Sequence, residues 1–471
     1  MAVLLLPIDL NRQLKESDPV RRVMQLTTGI VTVLLAAVSA ELNAAETVKR
    51  PNILIIVADD LGYADLGFQG GADIPTPHIN SLAASGARFT SGYVSGPYCS
   101  PTRAGLLTGR YQQRFGHEFN PGGEGAAAAN SGEKGLPLSE TTIADRFKQA
   151  GYVTGLVGKW HLGSNAKFHP QKRGFDEFFG FLGGAHTYFN KESAAVLRGT
   201  ERLSEPAYLT DAFGREAVSF IDRHQAEPFF LYLAFNAVHT PMEANQERLD
   251  KFSSIATNQR RTYAGMLSAM DDAVGNVLKK LHDAQLEENT LIFFFSDNGG
   301  PTMRGTTING SINAPLRGSK RTTLEGGVRV PFVIRWPGHI EAGKVFEQPV
   351  IQLDIQPTAL SAAGVQITPE AKFDGVNLLP LVTGQTNAVP HETLYWRFGE
   401  QNAIRHGNWK LVQYDLNADT GPTTGVTAKR LYDLSHDVGE ATDLAAANPD
   451  KVKELETLWN SWNKELVKPL W

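Results

Sequence analysis

Three apolar runs constrain this chain more than any other feature, because each stops at a cluster of polar residues. Pro51-Asn-Ile-Leu-Ile-Ile-Val-Ala58 runs into Asp59-Asp60, and Leu291-Ile-Phe-Phe-Phe295 runs into Ser296-Asp297-Asn298-Gly299. Pro228-Phe-Phe-Leu-Tyr-Leu-Ala-Phe235 leads to Val238-His239-Thr240-Pro241. A strand with one face in water alternates apolar and polar residues. These runs do not alternate, so they read as strands covered on both faces, as in a parallel sheet. Helical patterns lie between them, which makes the fold class α/β. Open α/β sheets place ligands just beyond the C-terminal ends of their strands. Here those ends carry Asp, His and Asn.

The spacing predicts a helix capped by Ser139, with Ile143, Phe147 and Ala150 on one face and Gly151 as its stop. A longer helix is expected from Thr262 to His282, where Tyr263, Met266, Leu267, Met270, Val274, Val277, Leu278 and Leu281 recur at helical spacing. Its methionines read as core packing. Gly122 to Gly135 reads as a mobile loop near the mouth of a site. After about Gly384 the texture shifts to short strand-like pieces, Thr393–Phe398, Asn402–His406 and Trp409–Tyr414, and a final helix from about Pro449 to Leu466. These suggest a small antiparallel sheet with one helix on it. The expected organisation is an N-terminal extension with a signal peptide over 1–45, a main α/β domain over 46–385 and a C-terminal α+β subdomain over 386–471.

Residues 26–40 form a continuous apolar stretch preceded by Arg21-Arg22 and ending in Val38-Ser39-Ala40. That is short for a bilayer span and fits a secretory signal with a small-residue cleavage site, the alternative being an N-terminal anchor. An exported protein, periplasmic or secreted, with no stable membrane span is expected. Translation starting near Val20 or Met24 would give that signal its usual length. The 471 residues carry a net charge of −5, with no basic stripe interleaved with aromatics. That excludes the footprint of a nucleic-acid binder. A single cysteine rules out an internal disulfide.

Asp59, Asp60, Asp297 and Asn298 together offer oxygen donors without sulfur or imidazole, a set that suits Ca²⁺, or Mg²⁺. Asp-Asp and Asp-Asn-Gly are also ordinary turn residues. Lys159 and His161 lie in Gly158-Lys-Trp-His-Leu-Gly163, and Lys320 lies in Gly318-Ser-Lys-Arg-Thr-Thr-Leu-Glu-Gly-Gly327. Taken singly, such lysines are surface charges, and His161 or His239 alone would be a structural histidine. Cys99, in Tyr98-Cys-Ser-Pro-Thr-Arg103, is a buried filler, a redox thiol, a nucleophile or a modification target.

Read together, these blocks resemble the type I sulfatases of the alkaline phosphatase superfamily. Cys-x-Pro-x-Arg at Cys99–Arg103 is similar to that family's signature, and the Asp59-Asp60, Lys159/His161, His239, Asp297-Asn298 and Lys320 blocks follow in the family's order. The Leu431–Leu434 stretch, with Asp437 and Glu440, looks like its C-terminal strand and turn. The resemblance implies an alkaline-phosphatase-like mixed sheet sandwiched by helices, with a small C-terminal antiparallel sheet and helix. It implies that Cys99 is oxidised to Cα-formylglycine by a formylglycine-generating maturation enzyme, and that its hydrated gem-diol is the nucleophile. Asp59, Asp60, Asp297, Asn298 and residue 99 would bind the cation. Arg103 would stabilise the ionised diol, and Lys159, His161 and Lys320 would hold sulfate oxygens. His239 would serve the leaving alcohol, a role suited to a pKa near 7. His117, His186, Tyr188 and Trp396 are candidates for lining the leaving-group pocket, with structural roles as the alternative.

The expected substrate is a sulfate monoester on a small molecule or glycan, with a sulfated carbohydrate favoured by the export signal. Two alternatives stand beside it: a phosphonate monoester hydrolase or phosphodiesterase of the same superfamily, and a non-catalytic sulfate-ester binder if Cys99 is never matured. Against the commoner family text, Arg321 stands where Gly is frequent and Thr102 where Ser is frequent; Arg321 could add a contact to an anionic substrate.

Overall fold

A computed structural model describes residues 50–122, 133–189, 196–420 and 424–471. The signal-like stretch, most of the Gly122–Gly135 loop and part of the 421–425 turn lie outside these residues. Residues 50–471 form one compact unit. Among the described residues no helix is long and apolar enough to cross a membrane.

The predicted runs form strands Asn52–Ala58, Phe229–Ala234 and Thr290–Ser296, at the centre of a ten-stranded mixed sheet. Asn52–Ala58 pairs in parallel with both of the others. Val153–Lys159 and Glu177–Phe181 extend the parallel block beyond Phe229–Ala234. Beyond Thr290–Ser296, the strand Phe332–Arg335 runs antiparallel and joins Ala87–Phe89. The central strands are buried along their whole length because both faces are covered. Ile53, Ile55 and Val57 belong to one hydrophobic layer, and Leu54, Ile56 and Ala58 to the other. Burying each such Leu, Ile or Phe contributes about 1.5–3 kcal/mol relative to leaving it in water.

One face carries helices Cys99–Thr108, Ile143–Gln149 and Ile355–Ala362; the other carries Pro77–Ala84, Leu209–Arg223 and Asn258–Asp283. Met266 and Met270 are fully buried in the core, as their spacing predicts. Two helix starts differ from the sequence reading. The cap of Ile143–Gln149 is Thr142, whose hydroxyl takes the Asp145 N–H while Asp145 takes the Thr142 N–H. This reciprocal box beats Ser139, which lies too far upstream to reach the first turn. The long helix starts at Asn258, capped by Thr257, because polar residues extend it ahead of the first apolar position.

The C-terminal segment forms an antiparallel sheet of Thr393–Phe398, Gln401–His406, Trp409–Gln413 and Arg430–Asp433, followed by helix Pro449–Asn463. Its alternation is functional in packing: Leu394, Trp396, Ala403 and Val412 face the main core, whereas Ile404, Leu411 and Leu431 meet Leu455 of the helix. The sheet is also tied to the main body by buried charge. Lys410 lies 2.8 Å from Glu325 Oε1 and 3.0 Å from Glu440 Oε1.

Candidate active site

Polar side chains converge where the parallel strands end. Because Ala58 pairs with Ser296, the next residues of both strands, Asp59 and Asp297, emerge side by side. Gly158 pairs with Ala234, which brings Lys159 beside the segment leading to His239. Gly158 is required for that approach: its φ is 116°, and a Cβ there would sit 1.9 Å from the Ala234 carbonyl oxygen. Cys99 opens the Cys99–Thr108 helix and is 1% exposed.

Each cation in this cluster rests on a carboxylate. Arg103 donates to Asp297 Oδ2 from Nε (3.0 Å) and Nη2 (2.8 Å). Lys159 Nζ donates to Asp59 Oδ2 at 2.5 Å, and Lys320 Nζ to Asp60 Oδ2 at 2.8 Å. The Cys99 thiol donates to Asp59 Oδ1 at 3.5 Å. Burial, and then the charge of Asp297, pushes that thiol well above its ordinary range. Burial would also raise Asp60, but Lys320 and His239 hold it at about 2. Asp297 rises to about 6 through burial and the neighbouring Asp59. Asp59, Asp60, Cys99 and His239 each present one potential ligand atom within 4.8 Å of the others.

The donor chemistry fits a hard cation. Asn298 donates its amide N–H to Asp60 Oδ1 at 2.7 Å, leaving its own Oδ1 fully buried without a hydrogen-bond partner. A buried acceptor of this kind is costly unless something electropositive meets it. Carboxylates beside it complete an oxygen-rich set.

His239 donates Nδ1–H to the Thr240 carbonyl at 2.6 Å, so its Nε2 faces Asp60 Oδ2, 3.6 Å away. Burial and the nearby Lys320 lower its pKa to about 3, not the value near 7 that its residue type suggests. His161 is likewise driven far down by burial and by Lys159. Its ring reaches the site because residue 184 is glycine; a Cβ there would lie 2.5 Å from His161 Nε2.

Above this cluster opens a cleft of about 430 Å³ lined by residues that include Tyr98, Asn120, His161, His239, Lys320 and Arg321. The other pocket candidates lie elsewhere. His117 is fully buried, with Ser100 Oγ 2.7 Å from its Nε2 and Trp471 against its ring. Ser100 in turn donates to the His161 carbonyl at 2.6 Å, so His117 supports the site from behind. His186, half-buried, lies tilted against Phe181 and bonds the Thr187 carbonyl. Tyr188 donates to the carbonyls of Asn236 and His239, and Trp396 to that of Val94 in the core. Their aromatic bodies fill the interior, which burial favours over a place at a polar rim.

Several participants escaped sequence reading. Asn309 donates to the Asp60 and Val238 carbonyls, tying the Asp59-Asp60 turn to the His239 segment. Thr307 contacts both Asp60 and Lys320. Asn120 takes the Ser100 N–H through Oδ1 at 3.1 Å, at the start of the Cys99 helix. Asn309 precedes a glycine, a turn signal that says nothing of a site.

Known proteins match this arrangement along most of the chain. The Sulfatase family model matches residues 51–365, and the model of the N-sulphoglucosamine sulphohydrolase C-terminal region matches 318–466. The chain is 37% identical over 397 residues to the N-acetylgalactosamine-6-sulfatase of Canis lupus familiaris, covering 80% of this chain and 74% of that protein. It is 35% identical to arylsulfatase A of Bos taurus, covering 90% of each. A solved structure of Ps i-CgsB with k-i-k-neocarrahexaose superposes with a TM-score of 0.82 at 36% identity, over 90% of this chain and 95% of that one. With the fold, the order of the motifs and these matches in agreement, the chain belongs to the sulfatase family: it is a type I sulfatase, built on the alkaline phosphatase superfamily's mixed sheet.

Proposed function

We propose that this sulfatase hydrolyses a sulfate monoester on a sulfated carbohydrate after export, using formylglycine at position 99 and a divalent cation, Ca²⁺ or Mg²⁺. The observation that carries the reading is the convergence of Cys99 with Asp59, Asp60 and Asp297, each carboxylate matched by Lys159, Lys320 or Arg103. The glycan part rests on the relatives, one named for N-acetylgalactosamine 6-sulfate and one solved with a neocarrahexaose.

Asp59, Asp60, Asp297, Asn298 and residue 99 would hold the cation, which neutralises charge and acidifies a bound hydroxyl. Formylglycine, made by a maturation enzyme, would supply a gem-diol: one hydroxyl attacks sulfur and the other later expels sulfate as the aldehyde re-forms. Lys159, Lys320 and His161 bind the sulfate oxygens as preorganised donors, which costs no reorganisation when charge builds up. Arg103, fixed by its two bonds to Asp297, would stabilise the ionised hydroxyl of the matured residue 99. His239 presents Nε2 to the leaving oxygen, with its Nδ1 proton anchored on Thr240. Neutral in the free protein, where burial and then Lys320 oppose its charge, it would take a second proton only in the complex with the anionic ester and pass it to the departing alcohol.

The test is the mass of the peptide containing Cys99 from protein made with and without a formylglycine-generating enzyme, followed by turnover of sulfated sugars and of a phosphonate ester. Conversion to the aldehyde together with sulfate release from a sugar is expected. A thiol in both samples of folded protein, or turnover of the phosphonate alone, overturns the reading.

A further inference from the structure

Arg321 differs from the cations at the floor of the cleft. Lys159, Arg103 and Lys320 each lie on a carboxylate. Arg321 has no carboxylate within ion-pair distance among the described residues, and it is exposed at the rim of the cleft. Its guanidinium lies 6.0 Å from the Tyr98 ring centroid, and Nη1 donates to the Gly305 carbonyl at 3.3 Å. Neither contact neutralises its charge, and the remaining donors of the fork stay free.

Its backbone adds an independent observation. Arg321 has φ 73°, a conformation that glycine adopts without penalty and arginine does not. The fold holds it there from both sides. Its N–H donates to the Pro97 carbonyl at 2.8 Å, and its carbonyl accepts from Gln401 Nε2 at 2.8 Å. A side chain kept at a strained rim position, with its backbone fixed and its charge unmatched, is a candidate for function.

We propose that Arg321 reads a second anionic group on the substrate, a sulfate or a carboxylate one sugar away from the ester that is cleaved. The inference rests on the glycan sulfatase reading above. The fork of an arginine matches planar or trigonal oxyanions in two-point fashion, which a lysine does not. None of the residues lining the cleft is acidic, so nothing there competes for it. Lys320 lies next in sequence but binds Asp60 deeper in the site, so the two cations serve different anions.

The experiment compares kcat/KM of matured wild type, R321G and R321K on matched disaccharides. One has a single scissile sulfate and a neutral neighbour, one has a second sulfate on the neighbour, and one has a uronic acid as the neighbour. R321G relieves the left-handed strain, so it is expected to fold, which its thermal midpoint checks. Wild type is expected to prefer a doubly anionic substrate, and R321G to lose about tenfold of that preference, with R321K intermediate. Tenfold corresponds to about 1.4 kcal/mol, the range of one charge-assisted contact. The two charged neighbours tell sulfate from carboxylate. Equal loss on all three substrates would mean that Arg321 binds the scissile group, and would overturn the proposal. So would wild type turnover without preference. No turnover of any sugar would instead bring down the glycan reading, and this proposal with it.

Discussion

At the scale of the residue, the site is a set of matched charges buried at the floor of an open cleft. Lys320 is the clearest case. Its ammonium bonds Asp60 and lies 5.4 Å from the Tyr98 ring centroid, at the floor of the cleft. In the proposed reaction it donates to an oxygen that gains charge in the transition state. K320A is therefore expected to lower kcat by roughly 10²–10³ fold, the loss seen when one preorganised donor is removed. Steady-state turnover per mole of formylglycine checks this, and an unchanged kcat would reduce Lys320 to a partner of Asp60. The residue types of this cluster were legible in the sequence, since three buried runs end in carboxylates, an amide and a histidine and the remaining blocks resemble the family's. Their protonation was not. The pKa of His239 falls to about 3 because burial and Lys320 act on it together, and both are products of the fold.

At the scale of the element, the Lys320 segment owes its position to the C-terminal sheet. Gln401 donates to the Arg321 carbonyl, and Thr323 N–H donates back to Gln401 Oε1 at 3.3 Å. Just downstream, Lys410 meets Glu325 and Glu440 in a fully buried cluster. Burial and the neighbouring charges leave the two carboxyls unequal. Burial acts against the charged form of Glu325, but Lys410 and Arg329 hold it at about 2; Glu440 is pushed by burial to about 7. Replacing Lys410 with Met leaves Glu440 without its cation and Glu325 with Arg329 alone. K410M is expected to destabilise the protein by about 3–5 kcal/mol, the usual cost of orphaning a buried charge. A urea titration of unfolding measures it; a change under 1 kcal/mol would mean that the cluster re-pairs without Lys410. Three of these strands were legible nearly to the residue as short pieces between polar turns, and Arg430–Asp433 only through the family resemblance. Periodicity could not reveal this ion cluster: Glu325, Lys410 and Glu440 are charged residues that a sequence reader assigns to solvent.

At the scale of the whole molecule, central strands distant in sequence present the proposed cation ligands at their C-terminal ends, so metal affinity and folding are linked. Binding to the native state alone stabilises it by about 2.7 kcal/mol at a hundredfold excess over Kd. The thermal midpoint is expected to rise with Ca²⁺ or Mg²⁺ and to fall after chelation, with activity following; calorimetry across a metal titration checks it. Recovery by Zn²⁺ alone would contradict an all-oxygen site. The sequence by itself determined the α/β class, the strand ends that carry chemistry and the order of the motifs, because burial on two faces and special residue types leave local marks. Only the tertiary structure decided which aromatic and histidine side chains face the cleft. His117, Tyr188 and Trp396 were sent to the interior, and Tyr98, Asn120 and Arg321 to the rim. That choice depends on which elements pack over each side chain, and no local pattern encodes it.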